Sequence, residues 1–292
     1  MNKKHLTGIA SVATIALMGS TAAWGATGAS ASDNTLTLQS NASYNNVSIS
    51  PDDVTSFGTI NTIIVDRGGV AAPTYSTIIL PAAASEIDDN IEAVFRPSAF
   101  HRNGDDCTLD AVSVETMNAN EPYFIKLKDD VSGVTSFTFK AEGSVVATGE
   151  SEHSINLSGT CFSVTGVYST KTWTTDSYND YGFAAGDGTG AAYAGQFVKV
   201  GSGVSLYPLR AYLTCHPGNI LAKVASSVEE SLPDVINVRF LDEKGNTLSI
   251  AKMNTKTGEF KTQNNYYDLK GRKLNSKPQN KIMYVNKKTI KH

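Results

Sequence analysis

The residues able to do chemistry in this chain are four Asp-Asp pairs, a few scattered histidines, three cysteines and one dense run of aromatic rings. The Asp-Asp pairs are Asp52-Asp53, Asp88-Asp89, Asp105-Asp106 and Asp129-Asp130. Glycoside hydrolysis needs two carboxyl groups about 5–10 Å apart across a cleft. Each pair here sits in a polar, turn-like stretch and reads as solvated turn acids. His101, His153 and His216 are scattered, and no His-Glu-x-x-His or Cys-x-x-Cys occurs. On a strand the adjacent Cys215 and His216 would point to opposite faces, so no zinc or other metal site is expected. The Asp187-Gly188-Thr189-Gly190 and Asn103–Asp106 loops could offer oxygens to calcium but lack EF-hand spacing. No phosphate-binding loop, dinucleotide fingerprint or Gly-x-Ser-x-Gly elbow is present, and no cofactor is expected.

Between Tyr168 and Tyr193 the chain gathers Tyr168, Trp173, Tyr178, Tyr181, Phe183 and Tyr193 among Asp176, Asn179 and Asp180. Flat rings stack on sugar C–H faces while amides, carboxylates and phenols meet sugar hydroxyls. Trp173, Tyr178 and Tyr181 are therefore the candidate ligand-binding residues, a glycan platform. The competing reading is that these rings pack a core. Cys107, Cys161 and Cys215 allow one bridge in three possible pairings. Cys161–Cys215 is favoured, since both lie on or beside apolar strands whereas Cys107 lies in a turn-rich stretch; three buried thiols acting as small hydrophobes is the other reading.

The elements that must hold these residues read as strands. Thr, Ser, Gly, Asn and Val are plentiful, charged residues make up 18%, and amphipathic helical periodicity is almost absent. Short apolar or alternating runs predict strands at Thr35–Leu38, Ser43–Ser50, Thr59–Asp66, Tyr75–Leu80, Ile91–Phe95, Leu109–Glu115, Pro122–Leu127, Ser136–Lys140, Cys161–Tyr168, Gly195–Val200, Val204–Thr214 and Val235–Leu241. A hairpin is expected through the Asp242–Asn246 turn to a strand at Thr247–Ala251. Only Ser85–Ala93 and Gly218–Glu230 look capable of helix. The expected fold class is all-β: one or two β-sandwich domains followed by a small C-terminal β domain with a basic tail. The expected boundaries are a signal peptide at 1–25, an N-terminal β segment at 26–72, a β-sandwich at 73–223, a Ser/Glu-rich linker at 224–234 and the C-terminal domain at 235–292.

Charge is distributed unevenly along the chain. Residues 261–292 carry nine Lys or Arg against one acid, a net +8, while residues 1–260 carry sixteen against twenty-seven, a net −11. Like charge clustered at one end repels itself unless an acidic partner receives it. At the other end Asn2, Lys3, Lys4 and His5 precede the apolar run Leu6–Met18 and then small residues through Ala26. This is the pattern of an export signal, and its 13-residue apolar run is too short to span a bilayer. No transmembrane segment is expected in the mature chain. Export also removes the nucleic-acid partner that a basic tail would otherwise suggest.

The ordered segments YSTIILP, NEPYFIKL, FSVTGVYSTKTW, YGFAAGDGTGAAYAGQFVKVGSGVSLYPLRAYLTC, LPDVINVRFLDEKGNTLSIAKMNTKTGEF and YYDLKGRKLNSKP resemble secreted β-rich surface proteins of polysaccharide-degrading anaerobic bacteria. The resemblance covers most of Pro73 to His292. The last segment is similar to the C-terminal sorting domain of type IX secretion cargo and to the basic terminal domains of surface proteins. Tyr267, Asp268, Leu269, Gly271, Arg272, Lys277 and Pro278 match that pattern, as do Tyr284 and Val285, whereas Lys281-Ile282-Met283 stands where a glycine usually precedes the last aromatic strand. The resemblance implies a sorting or anchoring role for those residues, with the secretion machinery and the outer surface as partners. It implies a location rather than a chemistry. The function expected is that of an exported, noncatalytic structural or adhesion protein associated with polysaccharide. The alternatives are a carbohydrate-active enzyme of the glycoside hydrolase class and a subunit of a larger surface assembly.

Overall fold

The computed structural model describes residues 27–250, apart from 70–71, 87, 104–105, 129–130, 132, 150–151, 185–193 and 217–231, together with four short strands between 266 and 291. The fold is all-β. One sheet runs β1 (Ala29–Ser32), β2 (Thr35–Gln39), β3 (Thr62–Asp66), β10 (Ser136–Ala141), β5 (Ala84–Glu86) and β8 (Thr116–Met117) in that spatial order. A larger sheet runs β11 (Glu152–Asn156), β12 (Phe162–Val167), β17 (Arg210–Cys215), β14 (Asp180–Ala184), β15 (Gln196–Lys199), β18 (Val235–Leu241), β7 (Asp106–Val114), β6 (Ile91–Asn103), β9 (Pro122–Leu127) and β4 (Tyr75–Ile79), with β19 (Thr247–Ile250) also paired to β18.

The larger sheet rolls until its β4 edge reaches β17. Pairing of β14 with β17 stops at Tyr212, which leaves the start of β17 open. There Ile79 N donates to Leu209 O at 3.3 Å, and the Thr77 hydroxyl accepts from Ala211 N (2.9 Å) and donates to Ala211 O (3.3 Å). A side-chain hydroxyl thus completes the edge where ladder bonds run out, as buried backbone groups require. Gly166 on β12 lets this approach happen, since a Cβ there would lie 2.6 Å from Ile79 Cδ1.

Rolling creates two cores. The inner one collects Phe95, Leu109, Phe124, Val164, Tyr181, Phe197, Leu213, Ile236, Val238 and Phe240, with Phe240 stacked on Tyr75 at 5.0 Å and edge-on to Phe124 at 5.9 Å. The second lies between the six-stranded sheet and the outer face of β4, β9 and β6, where Leu36, Leu38, Ile63, Val65, Phe137 and Phe139 meet Ile78, Val94 and Ile125. Because β4 and β9 serve both cores they are buried on both faces, which is why they read as unbroken apolar runs rather than alternating ones.

Several expectations are corrected here. Ser85–Ala93 is not helical; it forms β5 and the start of β6. Ser43–Ser50 is not a strand but an irregular segment with one bridge, Asn46 to Ser169. It leads into the helix α1 (Pro51–Phe57), whose signal was present in Ser50-Pro51-Asp52-Asp53: Ser50 Oγ accepts from Asp53 N (3.1 Å), Asp53 Oδ2 accepts from Ser50 N (2.8 Å), and Pro51 opens the helix. The expected Val204–Thr214 strand breaks into β16 (Ser205–Leu206) and β17 around Leu209, whose φ is +64°. The second expected helix and the segment 1–25 lie outside the described residues.

The domain boundaries also change. The 26–72 segment is not a separate unit, because β3 pairs with β10 and β2 with β3 inside one sheet. Nor does 235 begin a separate domain. Strand β18 sits between β15, antiparallel, and β7, parallel, and its Ile236, Val238 and Phe240 fill the inner core. Asp110 of β7 is clamped bidentately by Arg239 of β18, Nε to Oδ1 at 2.7 Å and Nη2 to Oδ2, and His101 Nε2 lies 2.9 Å from its Oδ2. A chemically linker-like sequence preceded a core strand, and composition alone does not show what a strand pairs with. The Asp242 turn does lead back through β19 as expected, with Asp242 Oδ1 accepting from Lys244 N and Asn246 N.

Candidate functional site

The outward face of β11, β12, β17 and β14 carries a connected polar and aromatic array. On β17, Ala211, Leu213 and Cys215 enter the inner core, so Tyr212 and Thr214 face the other way. A two-stranded ribbon of β13 (Lys171–Thr172) and β16 brings Trp173 over this face. Trp173 N donates to Val204 O (3.0 Å), and the indole meets the Tyr212 ring edge-on at 5.5 Å. Two carboxylates flank this ring pair. Asp180 accepts from Trp173 Nε1 (2.7 Å) and from the Thr214 hydroxyl (2.6 Å). Glu152 accepts from Lys171 Nζ (3.0 Å) and from the Tyr212 hydroxyl (3.3 Å).

Lys171 Nζ lies 4.6 Å from the Tyr212 ring centroid and 5.6 Å from that of Trp173. Burial works against its charge, yet hydrogen bonds to Tyr212 and Glu152 outweigh that and raise its pKa. Burial, opposed by the Lys171 hydrogen bond, pushes the Tyr212 phenol up. The array continues across β11 and β12 through Ser154 and Thr165 (2.7 Å) and through Ser163 donating to Asn156 Oδ1 (2.9 Å).

The three expected platform residues do not come together as a platform. Trp173 is 8% exposed and Tyr181 is fully buried, whereas Tyr178 is 80% exposed. Strand alternation explains Tyr181: Asp180 takes the outer face, so its neighbour turns into the inner core, where its hydroxyl donates to Pro233 O (2.8 Å) and burial drives its pKa up. Trp173 is covered by the ribbon that carries it. Core packing is therefore the correct reading for two of the three rings. Sequence reasoning passed over Glu152, Lys171 and Tyr212. Their signal was weak, amounting to charges within short alternating runs whose pairing was unknown.

Cys161 and Cys215 are joined by a disulfide, Cα to Cα 4.8 Å, that clamps the ends of β12 and β17 beneath this face, while Cys107 is buried in the inner core. Of the acid pairs, Asp53 Oδ2 accepts from Ser50 N in the capping box of α1 and Asp88 Oδ1 accepts from Asn90 N (2.9 Å). Asp105, Asp129, Asp130 and the Asp187 loop lie outside the described residues. Among the described residues, no three His, Cys, Asp or Glu side chains gather as metal ligands. No helix among the described residues is long and apolar enough to cross a membrane.

Tyr267 and Asp268 fall in β20 (Tyr266–Asp268), which with β21 (Lys273–Leu274), β22 (Tyr284–Asn286) and β23 (Thr289–Lys291) forms a four-stranded sheet ordered β21-β20-β22-β23. Leu269, Gly271, Arg272, Lys277 and Pro278 lie outside the described residues.

No protein-family model matches the sequence, and neither a curated protein nor a solved structure matches it.

Proposed function

We propose that the chain is an exported, noncatalytic structural or adhesion protein that meets polysaccharide through the face of β11, β12, β17 and β14, while its basic C-terminal segment addresses it to the outer surface. The observation that carries the noncatalytic reading is that the carboxylates of this face are already engaged. Asp180 holds Trp173 and Thr214, and Glu152 holds Lys171 and Tyr212. A face cross-linked in this way is rigid: Trp173, Tyr212, Thr214, Ser163 and Thr165 are buried and brace it, and the exposed Tyr178 ring is what it offers to a sugar chain. The bridge between Cys161 and Cys215 suits an oxidising compartment, in keeping with the leader-like N-terminus.

A glycan array probed with the mature protein tests the reading. Binding should fall about ten- to a hundredfold in Tyr178→Ala if that exposed ring stacks on the sugar, the cost of one well-used aromatic contact. No glycan bound by the wild type would end the polysaccharide reading. Removing residues 261–292 should leave folded protein in the periplasm, and normal surface display of the shortened chain would refute the addressing role.

The hydrolase alternative is favoured by one observation, the placement of Glu152 and Asp180 on either side of Tyr212. It requires release of reducing sugar ends that Glu152→Gln and Asp180→Asn abolish.

A further inference from the structure

Arg67 and Arg210 are taken into the fold with no carboxylate paired to either among the described residues. Arg67 follows β3 and is 3% exposed; its guanidinium lies over the Phe137 ring at 5.5 Å, and Nη1 donates to Ser76 Oγ at 2.9 Å. Its Nε is buried and meets no acceptor among the described residues. Arg210 opens β17 over the Tyr207 ring at 5.8 Å, and its Nε is likewise buried without an acceptor. Burial, then the charge of Arg210, lowers the pKa of Arg67 to about 9, and burial lowers that of Arg210 to about 10. Both stay cationic at neutral pH. Among the described residues, no carboxylate is one of the groups acting on either.

Two neighbouring cations in a poorly solvated place repel each other, and each buried donor without an acceptor adds a further cost. The rings of Phe137 and Tyr207 occupy guanidinium faces and leave donor edges unmet. A tetrahedral oxyanion meets both needs, because its oxygens accept from several N–H edges at once and its charge balances the pair. Arg210 is only partly buried, which gives an anion a way in. It also shares a strand face with Tyr212 and Thr214, so the pair lies at one end of the candidate face.

We propose that Arg67 and Arg210 form a binding site for a sulfate or phosphate group at the junction of β3, β4 and β17. The group can be a free ion or a substituent on a polysaccharide. The site does not rest on the polysaccharide reading, since a free ion fills it equally well.

The test follows the melting temperature of the mature protein in sodium sulfate, sodium phosphate and sodium chloride at matched ionic strength. A saturable rise in sulfate or phosphate is expected, absent in chloride and lost in Arg210→Met and Arg67→Met. Sulfate also stabilises proteins by exclusion from their surface, but that effect does not saturate and persists in the variants. If Arg67→Met fails to fold, the partly exposed Arg210→Met carries the test beside calorimetric titration with phosphate. Dextran sulfate giving an Arg210-dependent shift that unsulfated dextran lacks identifies a glycan-borne group, whereas a shift with the free ions alone identifies a free anion. Either supports the site. The absence of any Arg210-dependent, saturable shift overturns it.

Discussion

Trp173 and Tyr178 lie close in sequence and differ completely in exposure, so truncating each should have opposite consequences. Trp173→Ala removes a ring packed on Tyr212 and leaves Asp180 without its indole donor. The expected cost is about 3–5 kcal/mol, read from chemical denaturation. Tyr178→Ala should leave stability unchanged. A second residue with a measurable signature is Glu121, which accepts from Arg96 Nε (2.9 Å) and Nη2 (3.2 Å) and from the Tyr123 hydroxyl (3.0 Å). The Arg96 hydrogen bonds hold its carboxyl below the ordinary range against the opposing effect of burial, while burial pushes the Tyr123 phenol up to about 12 and keeps it a neutral donor. A depressed carboxyl pKa stabilises the fold above the unfolded value, roughly 4.3, and the gain is lost as pH falls through the folded value. Melting temperature should therefore drop on acidification below that region, and Glu121→Gln should flatten the acid limb. An unchanged limb would show that this pair does not matter to stability.

Among the elements, β18 has the largest structural consequence. It joins β15 to β7, contributes Phe240 to a four-ring contact with Tyr75, Phe95 and Phe124, and supplies Arg239 to the buried Asp110. Ending the chain at residue 234 would open two interior strand edges and empty part of the core. That product should show no cooperative melting transition, whereas a chain ending at residue 260 should retain one. The disulfide makes a separate forecast. It encloses 54 residues of sequence, and closing a loop of that size restricts the unfolded chain by roughly 4 kcal/mol in the entropy model. Replacing Cys161 and Cys215 together by serine should cost about 2–5 kcal/mol, and titration of the unreduced wild type in denaturant should find the Cys107 thiol alone.

For the molecule as a whole, the Pro122–Leu127 strand was legible to the residue, and Tyr75–Ile79 and Ser136–Ala141 nearly so, because β-branched and aromatic runs between turn residues carry their own signal. The turns at Asp66–Gly69 and Asp242–Asn246 were legible too, since Asp66 Oδ1 accepts from Gly68 N and Gly68 and Gly69 both adopt positive φ. Hydrophobic pattern and turn chemistry are local, and they determined an all-β chain with most of its strand positions. Pairing is not local. Only the tertiary structure decided that Val235–Leu241 pairs in parallel with Asp106–Val114 and that Thr77 meets Ala211, contacts between residues 134 positions apart in the second case. The candidate face followed the same rule. Aromatic enrichment pointed to the right stretch of chain, yet which rings stayed wet depended on the strand phase of Asp180 and Tyr181 and on the ribbon covering Trp173. Glu152, Lys171, Asp180 and Tyr212 became one array only when β11, β12, β17 and β14 lay side by side, because a sequence carries the period of each strand but not the identity of its neighbours.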